Sequence, residues 1–205
     1  MIEVTTNAQA IKRLAEVLEN NTKMLRKDIR IALSKTANHV ESQWAKEISE
    51  TIPVTRAVIK KLLRQEVANI DAPELKASVS LFKSKRLSLK EYRAKQTRSG
   101  VSYTGYKGAK RKTLPGAFMG PKPGTIALRL GGHVFTRQGE KRVMSKGRYA
   151  GKMRQPIVKR FGPSPFDTTQ KHEIPVKLVQ LGKARLLLEL NKRVRFRSLK
   201  ASGAI

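Results

Sequence analysis

Cysteine is absent from the chain. That excludes a disulfide framework, cysteine-ligated zinc and thiol catalysis, and it fits a protein made in a reducing cytosol. Acids are scarce: 15 Asp plus Glu stand against 44 Lys plus Arg, a formal net charge of +29. Aromatics make up 5% of the 205 residues, so the core is modest for a length that suits one domain with extended arms. Long apolar runs are missing too. The opening "MIEVTTNAQAIKRLAEVLENN" lacks the apolar centre of a signal peptide. No stretch approaches the roughly 20 apolar residues that cross a bilayer. The expectation is a soluble protein, intracellular when made, with no membrane partner.

The groups that catalysis needs are equally thin. His39, His133 and His172 fall in separate segments with no metal-ligand spacing, and Asp occurs only at Asp28, Asp71 and Asp167. There is no phosphate-cradling loop ending in Lys-Ser/Thr and no Gly-x-Ser-x-Gly elbow. "GAFMGPKPG" is glycine-rich, but its prolines remove backbone donors that a phosphate nest would use. The expectation is a non-enzyme, with no catalytic residue, metal or cofactor.

What is abundant is positive charge, and it needs a polyanion or an acidic partner to offset its self-repulsion. The excess runs through most of the chain, which favours nucleic acid. From Lys83 to Lys112 the only acid is Glu91, and from Arg129 to Arg160 it is Glu140. Both stretches are rich in Gly and Lys/Arg and read as loops that a partner orders. Lys83, Lys85, Arg86, Arg93 and Lys95 are the candidates for facing phosphate; docking on acidic protein surfaces is the alternative. The aromatics there, Tyr92, Tyr103, Tyr106 and Tyr149, are few for stacking on single strands. Sequence-blind contact with duplex phosphates, about one charge per 1.7 Å of axis, fits better.

Periodicity sets the elements. A short helix carries Ile11, Leu14 and Leu18, capped by Thr6 or Asn7. A longer one follows, with Leu25, Ile29, Leu33, Ala37, Val40, Trp44 and Ile48 three or four apart, stopped by Pro53. Trp44 is the core anchor on this stripe, and His39 lies off it. "PVTRAVIKKLLRQEV" reads as a further helix, with Arg56, Lys60, Lys61 and Arg64 largely on one face: a solvated face, or one offered to phosphate.

The period then changes to two in "ELKASVSLF", repeated at Leu87/Leu89 and Val101/Tyr103, with strand-like "TIALRL" and "HVFTR" further on. No helical pattern separates these runs, which argues for antiparallel pairing. A helix from about Pro175 to Val194 closes the chain. Val176, Val179, Leu186, Leu187 and Leu190 are its apolar contributors, and Gly182 is expected to kink or split it. The expected fold is α+β: N-terminal amphipathic helices (1–72), a central antiparallel sheet with long basic loops (73–162), and a C-terminal helix and tail (163–205), all in one domain.

The order of the motifs is informative. After the long helix come "TRAVIKKLLR", "RSGVSY", "LPGAF", "HVFTR" and "RQPIVKRFGPS". Over roughly residues 25 to 170 this succession resembles the minor tail protein Z, or tail-completion, family of tailed phages. That family has a basic helix, a "pGAF" segment, a "VFxR" strand and a "PI…GPS" turn in the same order.

The resemblance implies a structural virion protein at the head-proximal end of the tail, present in host cytoplasm during assembly. It implies a ring, hexameric, around the DNA channel. Its neighbours would be the tail terminator, the tail tube and the head connector, with packaged double-stranded DNA inside. Carried over by position, Pro115, Gly116, Ala117 and Phe118, then Val134, Phe135 and Arg137, then Pro156, Ile157, Gly162 and Pro163, are fold and subunit-contact residues. The stretch from Gly120 to Gly132 departs from the pattern. The alternatives are a free nucleic-acid binder, ribosomal- or nucleoid-like, and an assembly accessory absent from the finished particle.

Overall fold

The computed structural model describes residues 2–4, 8–17, 22–121, 130–146 and 150–202. The expected caps Thr6 and Asn7, most of "TIALRL", Tyr149 and the last three residues lie outside these. Over the described residues the chain forms two compact units. One comprises Met1–Ile48, Arg56–Lys85 and Phe166–Ile205; the other comprises Ser49–Thr55 and Arg86–Pro165. The class is α+β, with a long N-terminal helix, a C-terminal helix and strands paired antiparallel.

The first unit opens with strand β1 (Ile2–Val4) and helix α1 (Ala8–Val17), followed by α2 (Thr22–Thr51). The expected stripe on α2 is its buried face: Ile29, Leu33, Ala37, Val40, Trp44 and Ile48 are each at most 5% exposed. Trp44 donates its indole N–H to Thr169 Oγ1 at 3.2 Å, on helix α4 (Pro165–Lys171). The last helix, α5 (Ile174–Ala201), buries Ile174, Leu178, Leu186 and Leu190, a spacing of four or eight.

Two expectations for α5 are corrected here. It runs unbroken to Ala201, because Gly182 falls on the buried stripe between Leu178 and Leu186, where packing outweighs a propensity cost of about 1 kcal/mol. Val176 and Leu187, expected inside, are exposed.

A third correction concerns "TRAVIKKLLRQEV". Only Arg56–Lys60 is helical (α3), and Leu63–Val67 is a strand, β2. Leu63, Gln65 and Val67 alternate with exposed Arg64 and Glu66, a period of two hidden under a Leu-Leu pair that also suits a helix. Pairing decides it: all five residues register with β3 (Ala77–Leu81), whose Ala77, Val79 and Leu81 are buried. With β1 on the other side of β3, the sheet order is β1-β3-β2.

The sheet expected over 73–162 is divided: its first strand is β3 of the first unit, and the rest lies in the second. Strands β4 (Lys95–Thr97), β5 (Gly100–Tyr103) and β6 (Lys112–Pro115) form one sheet. Strands β7 (Ala117–Met119), β8 (Val134–Arg137) and β11 (Ile157–Lys159) form another, in the order β11-β8-β7. Between β8 and β11 in sequence lies the two-stranded ribbon β9 (Arg142–Val143) and β10 (Met153–Arg154). Part of what reads as unstructured basic loop is therefore short strand: Lys95–Thr97, Lys112–Pro115, Arg142–Val143 and Met153–Arg154.

Leu87 and Leu89 were expected on a strand; Leu89–Glu91 is instead one turn of 3-10 helix. Leu87, Ser88 and Leu89 are all buried, which alternation does not allow. Backbone bonds hold the segment, from Leu89 N–H to Arg160 O and from Gly162 N–H to Leu87 O.

Candidate nucleic-acid interface

Two acids of the first unit, Asp28 and Glu189, are buried and paired inside it. Asp28, fully buried, accepts from Arg197 Nε at 2.7 Å and from Arg197 Nη2 at 3.1 Å, with Arg193 Nη1 at 3.9 Å. The hydrogen bond to Asp28 lifts the Arg197 guanidinium above its already high ordinary value. Glu189, also buried, meets Arg185 at 2.7 Å, Lys192 at 3.1 Å and Lys35 at 3.8 Å. Burial works against its charged form, but the hydrogen bond from Lys192 and the charges of Arg185, Lys192 and Lys35 outweigh it, so its carboxyl titrates below the ordinary range. His39, half-buried, is lowered by burial and by Arg185.

All five candidate phosphate-facing residues are exposed. Lys83 and Lys85 belong to the first unit, after β3; Arg86, Arg93 and Lys95 belong to the second. Lys85 Nζ stands 5.6 Å from the centroid of the Phe82 ring. Arg93 adopts φ +53°, unusual for a residue with a Cβ. Neighbouring bonds hold it: Thr104 N–H donates to Tyr92 O at 3.0 Å, and Arg111 Nη2 donates to Arg93 O at 2.8 Å. Lys95 pairs across from Ser102 on β5. Among the described residues none of the five meets a carboxylate, while Glu91, the one acid of that stretch, lies 3.9 Å from Lys90.

The motif residues converge. Phe118 registers with Phe135 across β7 and β8, their rings 6.0 Å apart, and the Arg137 guanidinium lies 5.5 Å from the Phe118 centroid. Ile157 registers with Arg137 across β8 and β11, and Pro156 O accepts from Gln138 N–H at 3.0 Å. Ala117, Val134 and Phe135 are buried; Arg137 is exposed, as are Pro115 and Gly116 in the turn entering β7. Segments "GAF", "VFTR" and "PIVK" thus make one three-stranded sheet. The following Gly162-Pro163 closes on Tyr92: a Cβ at Gly162 would stand 2.2 Å from Tyr92 Cε2, and the Tyr92 hydroxyl donates to Pro163 O. Burial pushes the Tyr92 hydroxyl well above its ordinary value, with Tyr106 and Glu91 adding to the effect.

One polar cluster escaped the sequence reading. His133 Nδ1 lies 2.8 Å from Ser88 Oγ, and Lys159 Nζ lies 3.3 Å from His133 Nε2. An ammonium only donates, so Nε2 accepts and Nδ1 carries the proton toward Ser88. In that tautomer the imidazole is turned the wrong way to take the proton of Ser88, as nucleophilic catalysis would require. Burial, then the charges of Lys159 and Lys90, hold His133 below its ordinary value. Spacing carries no sign of this cluster, because Ser88, His133 and Lys159 are brought together by the pairing around Phe161 and Arg160. Among the described residues no group of three or more His, Asp or Glu is placed to hold a metal ion, and no helix is long and apolar enough to cross a membrane.

Comparisons with known proteins give no match, whether to a family model, a curated protein or a solved structure.

Proposed function

We propose that this chain is a non-catalytic structural protein of a tailed phage, a tail-completion component. It forms a ring round the DNA channel at the head-proximal end of the tail. The observation that carries the reading is the meeting of its motifs: the "GAF", "VFTR" and "PIVK" segments behind the resemblance form one small sheet, β11-β8-β7, and the Gly162-Pro163 turn that ends the last of them closes against Tyr92. A unit so built exposes Arg137 and Arg93 while burying the aromatic pair partner Phe135, and uncompensated surface cations suit sequence-independent contact with duplex phosphate. Mass spectrometry of purified particles tests it. The chain is expected there in a fixed, small copy number; its absence from the particle overturns the reading.

A second reading, a free nucleic-acid binder, draws on the exposed cations with no carboxylate at hand. It predicts duplex affinity of the isolated chain falling steeply with salt, roughly tenfold or more between about 50 and 200 mM. A ring component binds weakly as a monomer.

A further inference from the structure

We infer that the second unit carries a binding cleft for an unpaired nucleic-acid strand, where a base stacks on Tyr106 and Phe161 while Lys110 and Lys112 take the adjoining phosphates. Aromatic content alone argued against stacking, since the tyrosines of the basic stretches are few. Folding changes the arithmetic, because it brings Phe161 from after β11 to Tyr103 and Tyr106. The three rings line a cleft of about 370 Å³ with Lys110 and Lys112 and no acid, within the usual range of roughly 300–1,000 Å³ for small-ligand sites. Gly105, Ala109, Gly162 and Pro163 complete the lining, small residues that leave room for a flat ring.

Tyr106 and Phe161 are 41% and 44% exposed, and Lys159 Nζ, 5.5 Å from the Phe161 centroid, adds a cation beside that ring. The loop that bears Tyr106 is already fixed in place. Lys107 N–H donates to Thr51 O at 2.8 Å, and Arg111 Nη2 donates to Ser102 O at 3.0 Å and to Arg93 O at 2.8 Å. Little ordering is therefore left for binding to pay.

Duplex bases are stacked away from such a cleft, whereas an unpaired base has a free π-face that any aromatic can meet. Backbone phosphate supplies the complement to Lys110 and Lys112. The inference does not depend on the ring role, since a free chain would carry the same cleft.

The test uses the full chain and fluorescence anisotropy of labelled oligothymidylate, oligouridylate and blunt duplex, each about 12 units long, at about 0.15 M ionic strength. Tyr106→Ala is expected to weaken oligothymidylate binding roughly tenfold, with duplex binding within about twofold. Tyr106→Phe, which keeps the ring, is expected to bind as the native chain does. Phe161→Ala, at the second exposed ring, repeats the measurement on a different strand end. A parallel loss with oligouridylate assigns the cleft to unpaired strands of either sugar, and a loss confined to one polymer names that polymer; both support it. If both alanine variants leave single-strand binding unchanged, or weaken duplex and single strand alike, the inference is overturned.

Discussion

Tyr92 and Gly162 show how much of the second unit hangs on a single close approach. Tyr92 is wholly buried, and its ring occupies the space a side chain at 162 would need. Gly162→Ala is therefore expected to destabilise the chain by about 1–3 kcal/mol through overpacking, read as a lower urea midpoint; an unchanged midpoint would show that the Tyr92 ring swings aside freely. His133 offers a pH test. The unfolded imidazole takes its proton near the ordinary 6.5, whereas the folded one, beside Lys159 and Lys90, takes it only at lower pH. The folded state thus binds fewer protons in that window, so stability should decline as pH falls from 6.5 toward the folded value and then level off. His133→Asn should flatten its share of this slope in urea unfolding across pH 5 to 7 (about the range where histidine titrates). A slope identical to that of the native chain would contradict the geometry around Ser88 and Lys159. None of this was legible in the sequence, which presents His133 as one histidine of three in separate segments.

Helices α2 and α5 run past each other with Asp28 tied to Arg197 and Lys35 to Glu189, so partners late in one helix meet partners early in the other. Asp28→Ala leaves Arg197 and Arg193 facing each other with no counter-ion, and a cost of about 3–5 kcal/mol is expected, measured by chemical denaturation. A cost below about 1 kcal/mol would mean that water replaces the carboxylate. Element by element, the sequence was most readable where periodicity was long. The α2 stripe from Ile29 to Ile48 is buried as its spacing requires, and Pro53 follows the helix end at Thr51. It was least readable where partners in space choose the structure. Residues Leu63–Val67 carry both a helical and an alternating pattern, and only β3 decides between them. The turn at Leu89–Glu91 depends on bonds to Arg160 and Gly162, and the unbroken α5 on packing at Gly182. Likewise the cleft residues Tyr106 and Phe161 lie far apart in sequence, and they meet only once Phe161 bridges Ser88 and Thr104 N–H bonds Tyr92 O.

Across the whole molecule the arithmetic of charge dominates. Of 15 acids, Asp28 and Glu189 are buried, each serving two or three cations. These internal ties consume few of the 44 basic residues, so the surface keeps a large excess that a free protein of this size tolerates poorly without a polyanion or acidic neighbour. A place beside densely charged duplex DNA would answer that excess. The account's central claim is tested most directly by an averaged cryo-microscopy map of the neck and upper tail of the native particle. It predicts a closed ring at the head-proximal end of the tail into which this fold fits, with basic residues of the 83–112 stretch lining the channel. A complete map in which no ring accepts the fold would contradict it.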